Sequence, residues 1–194
     1  MSTALTESHV RGRTDQPLIE QTLGAFFNDM VERFPEREAL VVVHQGRRYT
    51  YRQLQTESRR LASALLGLGL KPGDRIGIWS HNNAEWVLMQ LATAQVGIIL
   101  VNINPAYRTA EVEYALNKVG CKALVAASSF KSSDYAAMLR ELRRVGGLLK
   151  HHFATVQQAG LGEGISAQMS DTLRLLSRSI EIISRTFRTA PHDR

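Results

Sequence analysis

Few side chains of this sequence have the spacing of a metal-binding, phosphate-binding or catalytic site. The histidines His44, His81, His151 and His152 have no carboxylate or cysteine partner at a known metal-ligand spacing, and we interpret them as surface residues. The segment GLGEG at 160–164 has the glycines of a phosphate loop, but no strand precedes it and no lysine follows. No Ser/His/Asp set can be assembled. The residues alone therefore predict no catalytic, cofactor-binding or metal-binding side chain.

Two further segments could carry chemistry but have simpler explanations. Residues 128–133, SSFKSS, combine hydroxyl groups with a lysine, yet no glycine brings backbone N–H groups onto a phosphate. We interpret this segment as a strand-to-helix loop with a serine cap. The single cysteine, Cys121, opens an apolar strand and cannot form an internal disulfide. It is expected to be a small buried hydrophobe.

The segment from Glu85 to Ala126 alternates between helical and strand patterns. The expected order is a mostly apolar helix from 85, a strand at 98–101, a stop at Asn104-Pro105, a helix from about 109 to 119 and a strand at 122–126. Gly120 is the expected end of the second helix. This alternation is typical of a βαβ unit, so we predict an α/β fold with a mostly parallel sheet and covering helices.

The residues before this segment predict further elements, and residues 1–20 form a polar, aperiodic arm. The expected elements are a helix at 22–34 with Thr22 as N-cap, a β-hairpin from 38–43 and 47–50, a helix from Thr50 with Gln53 in a capping box, a strand at 74–79 and a second capping box at Asn82–Glu85.

The pattern changes after Leu142, so we divide the chain into an arm (1–20), an α/β part (21–142) and a divergent tail (143–194). Apolar residues recur at heptad-like spacing in the tail and predict one amphipathic helix over about 165–188. This heptad stripe could mediate self-association or binding to a related protein chain. Its proposed contact residues are Met169, Leu173, Leu176, Ile180, Ile183 and Phe187.

Most of the net charge of +6 lies in this tail. Residues 1–142 hold 16 basic and 14 acidic side chains, whereas residues 143–194 hold 8 and 4. A basic amphipathic helix can lie on an anionic membrane, but we favour an ordinary solvated surface and expect no nucleic acid partner. The N-terminus lacks the apolar core of a secretory signal, so the expected location is the cytoplasm.

Several motifs resemble one family. They are RFPEREALVV, YTYRQL, GLKPGDRIGIWSHNNAEWVLMQLATAQVGIILVNINPAY and EVEYALNKVGCKALV. Together they resemble the opening of AMP-forming acyl-CoA synthetases and, within that family, the medium-chain fatty-acyl-CoA ligases. The resemblance covers residues 21 to 142.

The resemblance implies a two-step ligase that uses ATP, Mg and CoA in the complete family. A fatty acid and ATP give an acyl-adenylate and pyrophosphate, and coenzyme A then takes the acyl group and releases AMP. The family's Ser/Thr/Gly phosphate loop, acidic motif and late lysine lie downstream of the resembling residues and do not occur in this sequence. No catalytic or cofactor-binding residue transfers, so we expect an inactive fragment. The alternative is a non-catalytic interaction module acting through the heptad stripe.

Overall fold

A computed structural model describes residues 12–127, 129–145, 153–155 and 180–185. Within these ranges, helices and strands alternate along most of the chain. The helices are α1 (Leu23–Arg33), α2 (Tyr51–Gly67), α3 (Ala84–Gln95), α4 (Thr109–Val119) and α5 (Tyr135–Val145). The strands are β1 (Glu38–Val42), β2 (Arg47–Thr50), β3 (Arg75–Trp79), β4 (Ile99–Ile103), β5 (Ala123–Ala127), β6 (Ser129–Phe130), β7 (Ser133–Asp134), β8 (Phe153–Thr155) and β9 (Ile180–Arg185).

The central sheet has five strands in the order β4-β3-β5-β9-β8. Strand β3 pairs in parallel with both β4 and β5. Strand β9 pairs antiparallel with β5 on one side and with β8 on the other, so it alone among these strands runs in the opposite direction. The predicted α/β fold with a mostly parallel sheet is therefore confirmed.

Alternate residues of a strand face opposite sides of the sheet, so the parallel strands present two apolar faces. Helices cover both of these faces. On one face Ile76, Ile78 and Val125 belong to a core shared with α1, α2 and α3. On the other face Trp79 and Leu124 pack with α4 and α5. The sheet is thus the middle layer of a three-layer arrangement, with one hydrophobic core on each of its faces.

Local signals set several element ends as predicted. The Thr22 hydroxyl accepts the Ala25 N–H at the start of α1. Thr50 and Gln53 form a reciprocal capping box at the start of α2. Gly120 ends α4 with φ +65°, a left-handed conformation that costs glycine little. The predicted hairpin is also confirmed, with β1 and β2 joined through a 3-10 turn at Val43–Gln45.

The predicted tail helix is wrong where the structure describes it. Residues Ile180–Arg185 form strand β9, whose backbone pairs with β5 from Ala127↔Ile180 to Ala123↔Ser184. Pairing with a sheet satisfies the backbone groups that a helix would satisfy internally, and it overrides the helical spacing of the apolar residues. Ile180 and Ile183 are therefore not on a helix, while Met169, Leu173, Leu176 and Phe187 lie outside the described residues.

A helix lies at the carboxyl end of the α/β part, and an exposed segment lies at its amino end. Helix α5 continues through the buried Leu142 to Val145, three residues past the expected division. In the N-terminal arm, residues 12–20 are exposed and contain no helix or strand, and residues 1–11 lie outside the described part.

Candidate functional site

The carboxyl ends of β3, β4 and β5 lie at one edge of the sheet, which we call the carboxyl edge. Strand β3 ends at Trp79, β4 at Ile103 and β5 at Ala127. In open α/β sheets ligands bind beside this edge, because the loops that leave the strands there can carry side chains into a common crevice. The carboxyl edge is therefore the first place to look for a site.

A buried aromatic pair fixes the loop that follows β4. The rings of Trp79 and Tyr135 stack with centroids 3.7 Å apart and an interplanar angle of 12°. The Trp79 Nε1–H donates to the Asn104 carbonyl oxygen at 3.2 Å, and the Tyr135 hydroxyl donates to the Pro105 carbonyl oxygen. Both aromatic side chains are fully buried. Their hydrogen bonds satisfy the polar tips and hold the Asn104-Pro105 turn against the sheet.

Burial also determines the protonation of Tyr135. Removal from water raises the pKa of its hydroxyl to about 12, and the nearby Arg108 only partly offsets this effect. A tyrosine with its ordinary pKa of about 10 is already protonated near neutral pH, and burial extends this range to higher pH, so the hydroxyl acts as a hydrogen-bond donor. It is a positioning group for the turn and not a general base.

Three more rings extend from this pair towards the hairpin. Phe130 lies 6.5 Å from Tyr135, His81 stacks on Phe130 at 5.9 Å, and His44 lies 6.2 Å from His81. The Nδ1 atom of His81 is buried and has no hydrogen-bond partner among the described residues. This row of rings packs the hairpin turn against the segments that follow β3 and β5.

The structure corrects the interpretation of one histidine. His44 is exposed, as expected for a surface residue, but His81 is half-buried between Phe130 and His44. His44 and His81 are 37 positions apart in the chain, and His81 and Phe130 are 49 positions apart. No local spacing could therefore have indicated these contacts. His151 and His152 lie outside the described residues.

The serine-rich segment before α5 also differs from its predicted form. Residues 129–134 form a two-stranded hairpin from β6 and β7, and Lys131 occupies the turn with φ +51°. The cap of α5 comes from Asp134, whose Oδ1 accepts the Ala137 N–H at 2.8 Å, rather than from a serine. The Lys131 Nζ lies 5.4 Å from the Phe130 ring centroid, where a cation–π contact is favourable.

The start of α3 differs from the predicted capping box at Asn82–Glu85. The N-cap of α3 is Asn83, whose Oδ1 accepts the Trp86 N–H at 2.9 Å, and its Nδ2 donates to the Ser80 hydroxyl at 2.9 Å. Glu85 therefore stands at the second helical position. It does not fold back onto its own backbone, because two partners from the hairpin take both of its oxygens.

Glu85 is 1% exposed and is held by the β1–β2 hairpin. Arg47 donates to its Oε1 at 2.6 Å, and the Gln45 Nε2 donates to its Oε2 at 2.9 Å. The Gln45 Oε1 in turn accepts the Ala84 N–H at 2.8 Å. A buried carboxylate needs such partners, and this one also lies at a helix N-terminus, where negative charge is favoured. We call these three side chains the Glu85 cluster; they join the hairpin to α3.

A cleft of about 650 Å³ lies beside the Glu85 cluster, between the hairpin, α2 and α3. The three arginines that line it are Arg47, Arg48 and Arg52. Each already has a carboxylate partner: Glu85 for Arg47, Glu38 for Arg48 at 2.5 Å, and Glu36 for Arg52 at 2.9 Å. An incoming phosphate would have to displace these carboxylates, so the cleft is not arranged as a phosphate cradle.

Cys121 agrees with its expected structural role. The side chain is buried, and burial raises the pKa of its thiol to about 11, an effect that Arg75 only partly offsets. The thiolate is the reactive form of cysteine, so this residue is a poor nucleophile near neutral pH. Within the described ranges, no group of three or more His, Cys, Asp or Glu residues could hold a metal ion.

No helix in the part of the chain that the structure describes is long and apolar enough to cross a membrane. The GLGEG segment at 160–164, which we do not interpret as a phosphate loop, lies outside that part.

Comparison with known proteins identifies the family. The family model described as AMP-binding enzyme matches residues 27–172, which extends beyond residue 142. The mitochondrial medium-chain acyl-CoA ligase ACSF2 of Rattus norvegicus is 48% identical over 135 residues, covering 70% of this chain and 22% of the relative. The chain therefore spans about a fifth of the length of this relative.

Solved structures agree with this assignment. The anthranilate CoA ligase AuaEII in complex with anthranoyl-AMP matches with a TM-score of 0.59 and 25% identity, over 71% of this chain and 25% of that one. The N-terminal subdomain of Klebsiella oxytoca NpsA, in complex with 3-hydroxyanthranilyl-AMSN, matches with a TM-score of 0.51 and 27% identity, over 54% of this chain and 26% of that one. The chain belongs to the AMP-binding enzyme family.

Proposed function

We propose that these residues are the N-terminal scaffold of an AMP-forming ligase that joins a fatty acid to coenzyme A. The observation that supports this proposal is the 48% identity over 135 residues to a medium-chain acyl-CoA ligase, across the elements that build the parallel sheet. In such a ligase the fatty-acid carboxylate attacks the α-phosphorus of ATP and pyrophosphate leaves. The coenzyme A thiol then attacks the acyl carbonyl and AMP leaves.

The described residues supply shape to this reaction and no transition-state charge. Phosphoryl chemistry of this kind needs a backbone cradle, a lysine and magnesium aimed at the phosphates. Here the cleft arginines are paired with carboxylates, and Lys131 lies against the Phe130 ring. We therefore propose that the residues that hold ATP and Mg in the complete family lie outside the described residues.

We therefore expect the purified chain to catalyse no fatty-acid-dependent exchange between ATP and pyrophosphate. The assay would measure incorporation of labelled pyrophosphate into ATP with medium-chain fatty acids. A complete acyl-CoA ligase at equal concentration is the positive control, and the chain without fatty acid is the blank. Exchange clearly above the blank would show that the adenylation machinery is present in this sequence and would refute the scaffold proposal.

The second candidate is a non-catalytic interaction module that uses the tail. The apolar positions at heptad-like spacing support it, although strand β9 removes Ile180 and Ile183 from any helix. Replacing Leu173 and Leu176 by Asp should abolish co-purification with a tagged copy of the chain or with a full-length synthetase. Unchanged recovery of the partner would exclude contact through this part of the tail.

The location of the protein is part of the proposal. We propose a cytoplasmic location, whereas the rat relative is named as mitochondrial. Subcellular fractionation of cells that express the chain with a C-terminal tag distinguishes the two compartments, and recovery with the mitochondrial fraction would correct the cytoplasmic assignment.

A further inference from the structure

Strand β4 forms one edge of the central sheet. Among the described strands it pairs with β3 alone, in parallel register from Arg75↔Ile99 to Trp79↔Ile103. The Ile99 N–H donates to the Asp74 carbonyl oxygen at 2.8 Å, so Ile99 directs its backbone groups towards β3. Strand residues alternate in this respect. The N–H and C=O groups of Leu100 and Asn102 consequently lie along the outer side of β4.

This outer side lacks the features by which edge strands usually avoid pairing. No charged residue occurs from Gly97 to Tyr107, and Pro105 follows the strand without interrupting it. The register between β3 and β4 contains no bulge. Ile99 is 46% exposed, which adds apolar surface beside the free backbone groups. Such an edge is a template for the addition of another strand.

We propose that a second copy of this chain pairs with β4 in an antiparallel arrangement, about a two-fold axis at Val101. Leu100 of one copy then lies opposite Asn102 of the other, and each pair exchanges two backbone hydrogen bonds. The arrangement is isologous, since the same two residues serve both sides of the axis. It extends the sheet across the dimer while the helices stay on its two faces.

The charge pattern favours a second copy as the occupant. Both contacting edges would be uncharged over the same eleven residues from Gly97 to Tyr107, so their approach brings no like charges together. The outward donors and acceptors of Leu100 and Asn102 have the same spacing on both copies, so the two edges are self-complementary about an axis at Val101. This pairing does not depend on acyl-CoA ligase activity, and it uses a different part of the chain from the heptad stripe.

Sedimentation equilibrium of the full chain tests the proposal. We expect a reversible monomer–dimer equilibrium, with dimers more abundant at high concentration. Asn102 is exposed, and Asn102→Lys places a charge from each copy at the pairing edge. This variant should weaken dimerisation by about tenfold or more, because lysine on an edge strand opposes strand addition. Asn117→Lys is the matched control, since it makes the same change at an exposed position of α4 and should leave the equilibrium unchanged.

Two further measurements test the backbone contact itself. Asn102→Pro removes one outward N–H without removing a hydrogen bond to β3, so it should also abolish dimers while the far-ultraviolet circular dichroism is retained. In the unmodified chain, the amide hydrogens of Leu100 and Asn102 should exchange more slowly as concentration rises. A monomer at every concentration would overturn the proposal. So would a dimer that Asn102→Lys leaves intact, or one weakened equally by Asn117→Lys.

Discussion

Replacing Glu85 by Ala should reduce the free energy of unfolding by about 3 kcal/mol, the scale for removing one partner of a buried ion pair. The change leaves Arg47 and Gln45 without their carboxylate and detaches the hairpin from the N-terminus of α3. Arg47 keeps a side chain that is 34% exposed and can regain water, so the loss should lie at the lower end of the range for buried pairs. Urea denaturation followed by circular dichroism gives the midpoint and the slope that this comparison needs.

Glu57→Ala is the matched control for this experiment. Glu57 pairs with Arg60 one turn along α2 at 3.2 Å, and both side chains are about a third exposed. Exposed pairs of this kind contribute about 1 kcal/mol or less. Equal losses for Glu85→Ala and Glu57→Ala would show that the Glu85 cluster does not hold the hairpin.

Replacing Gly77 by Val should be at least as damaging, with an expected loss of about 3 kcal/mol from overpacking. A Cβ atom at Gly77 would lie 2.9 Å from Leu124 Cδ1, 3.1 Å from Leu116 Cδ2 and 3.2 Å from Ile103 Cδ1. All three neighbours are at most 3% exposed, so none of them has open space to move into. We expect Gly77 to be needed because side chains of β4, β5 and α4 meet above its Cα atom.

Gly120→Ala separates crowding from backbone conformation. Gly120 has φ +65°, and no atom lies within 4 Å of a Cβ built there. Its substitution should cost only the strain of a left-handed alanine, about 1 kcal/mol. Thermal or urea unfolding should therefore give Gly77→Val a much lower stability than Gly120→Ala. The opposite order would contradict the close packing between α4 and the sheet.

The two buried features have a common functional consequence. The Glu85 cluster fixes the start of α3, and the Trp79–Tyr135 stack fixes the turn after β4. Both lie just beyond a strand end at the carboxyl edge, where α/β enzymes place their ligands. Under the proposed function these loops need one conformation, and the buried polar contacts give each loop a single preferred position.

Elements whose signals are local can be predicted from the amino-acid sequence. The caps at Thr22 and Thr50, the end of α4 at Gly120 and the order of strands and helices from 85 to 126 depend on residues within about one helical turn of each other. The resemblance to acyl-CoA synthetases likewise rests on short motifs and was confirmed by the family match. These features need no knowledge of which distant segments meet.

Tertiary structure decided the features that depend on distant segments. Glu85 turned to Arg47 and Gln45, 38 and 40 residues away, instead of capping its own helix. His81 became half-buried because Phe130 stacks on it, and Ile180–Arg185 became a strand because β5 offered a backbone partner. In each case a contact with a distant segment satisfied a buried charge, covered a ring or paired a row of backbone groups, and such contacts leave no periodic trace in the sequence.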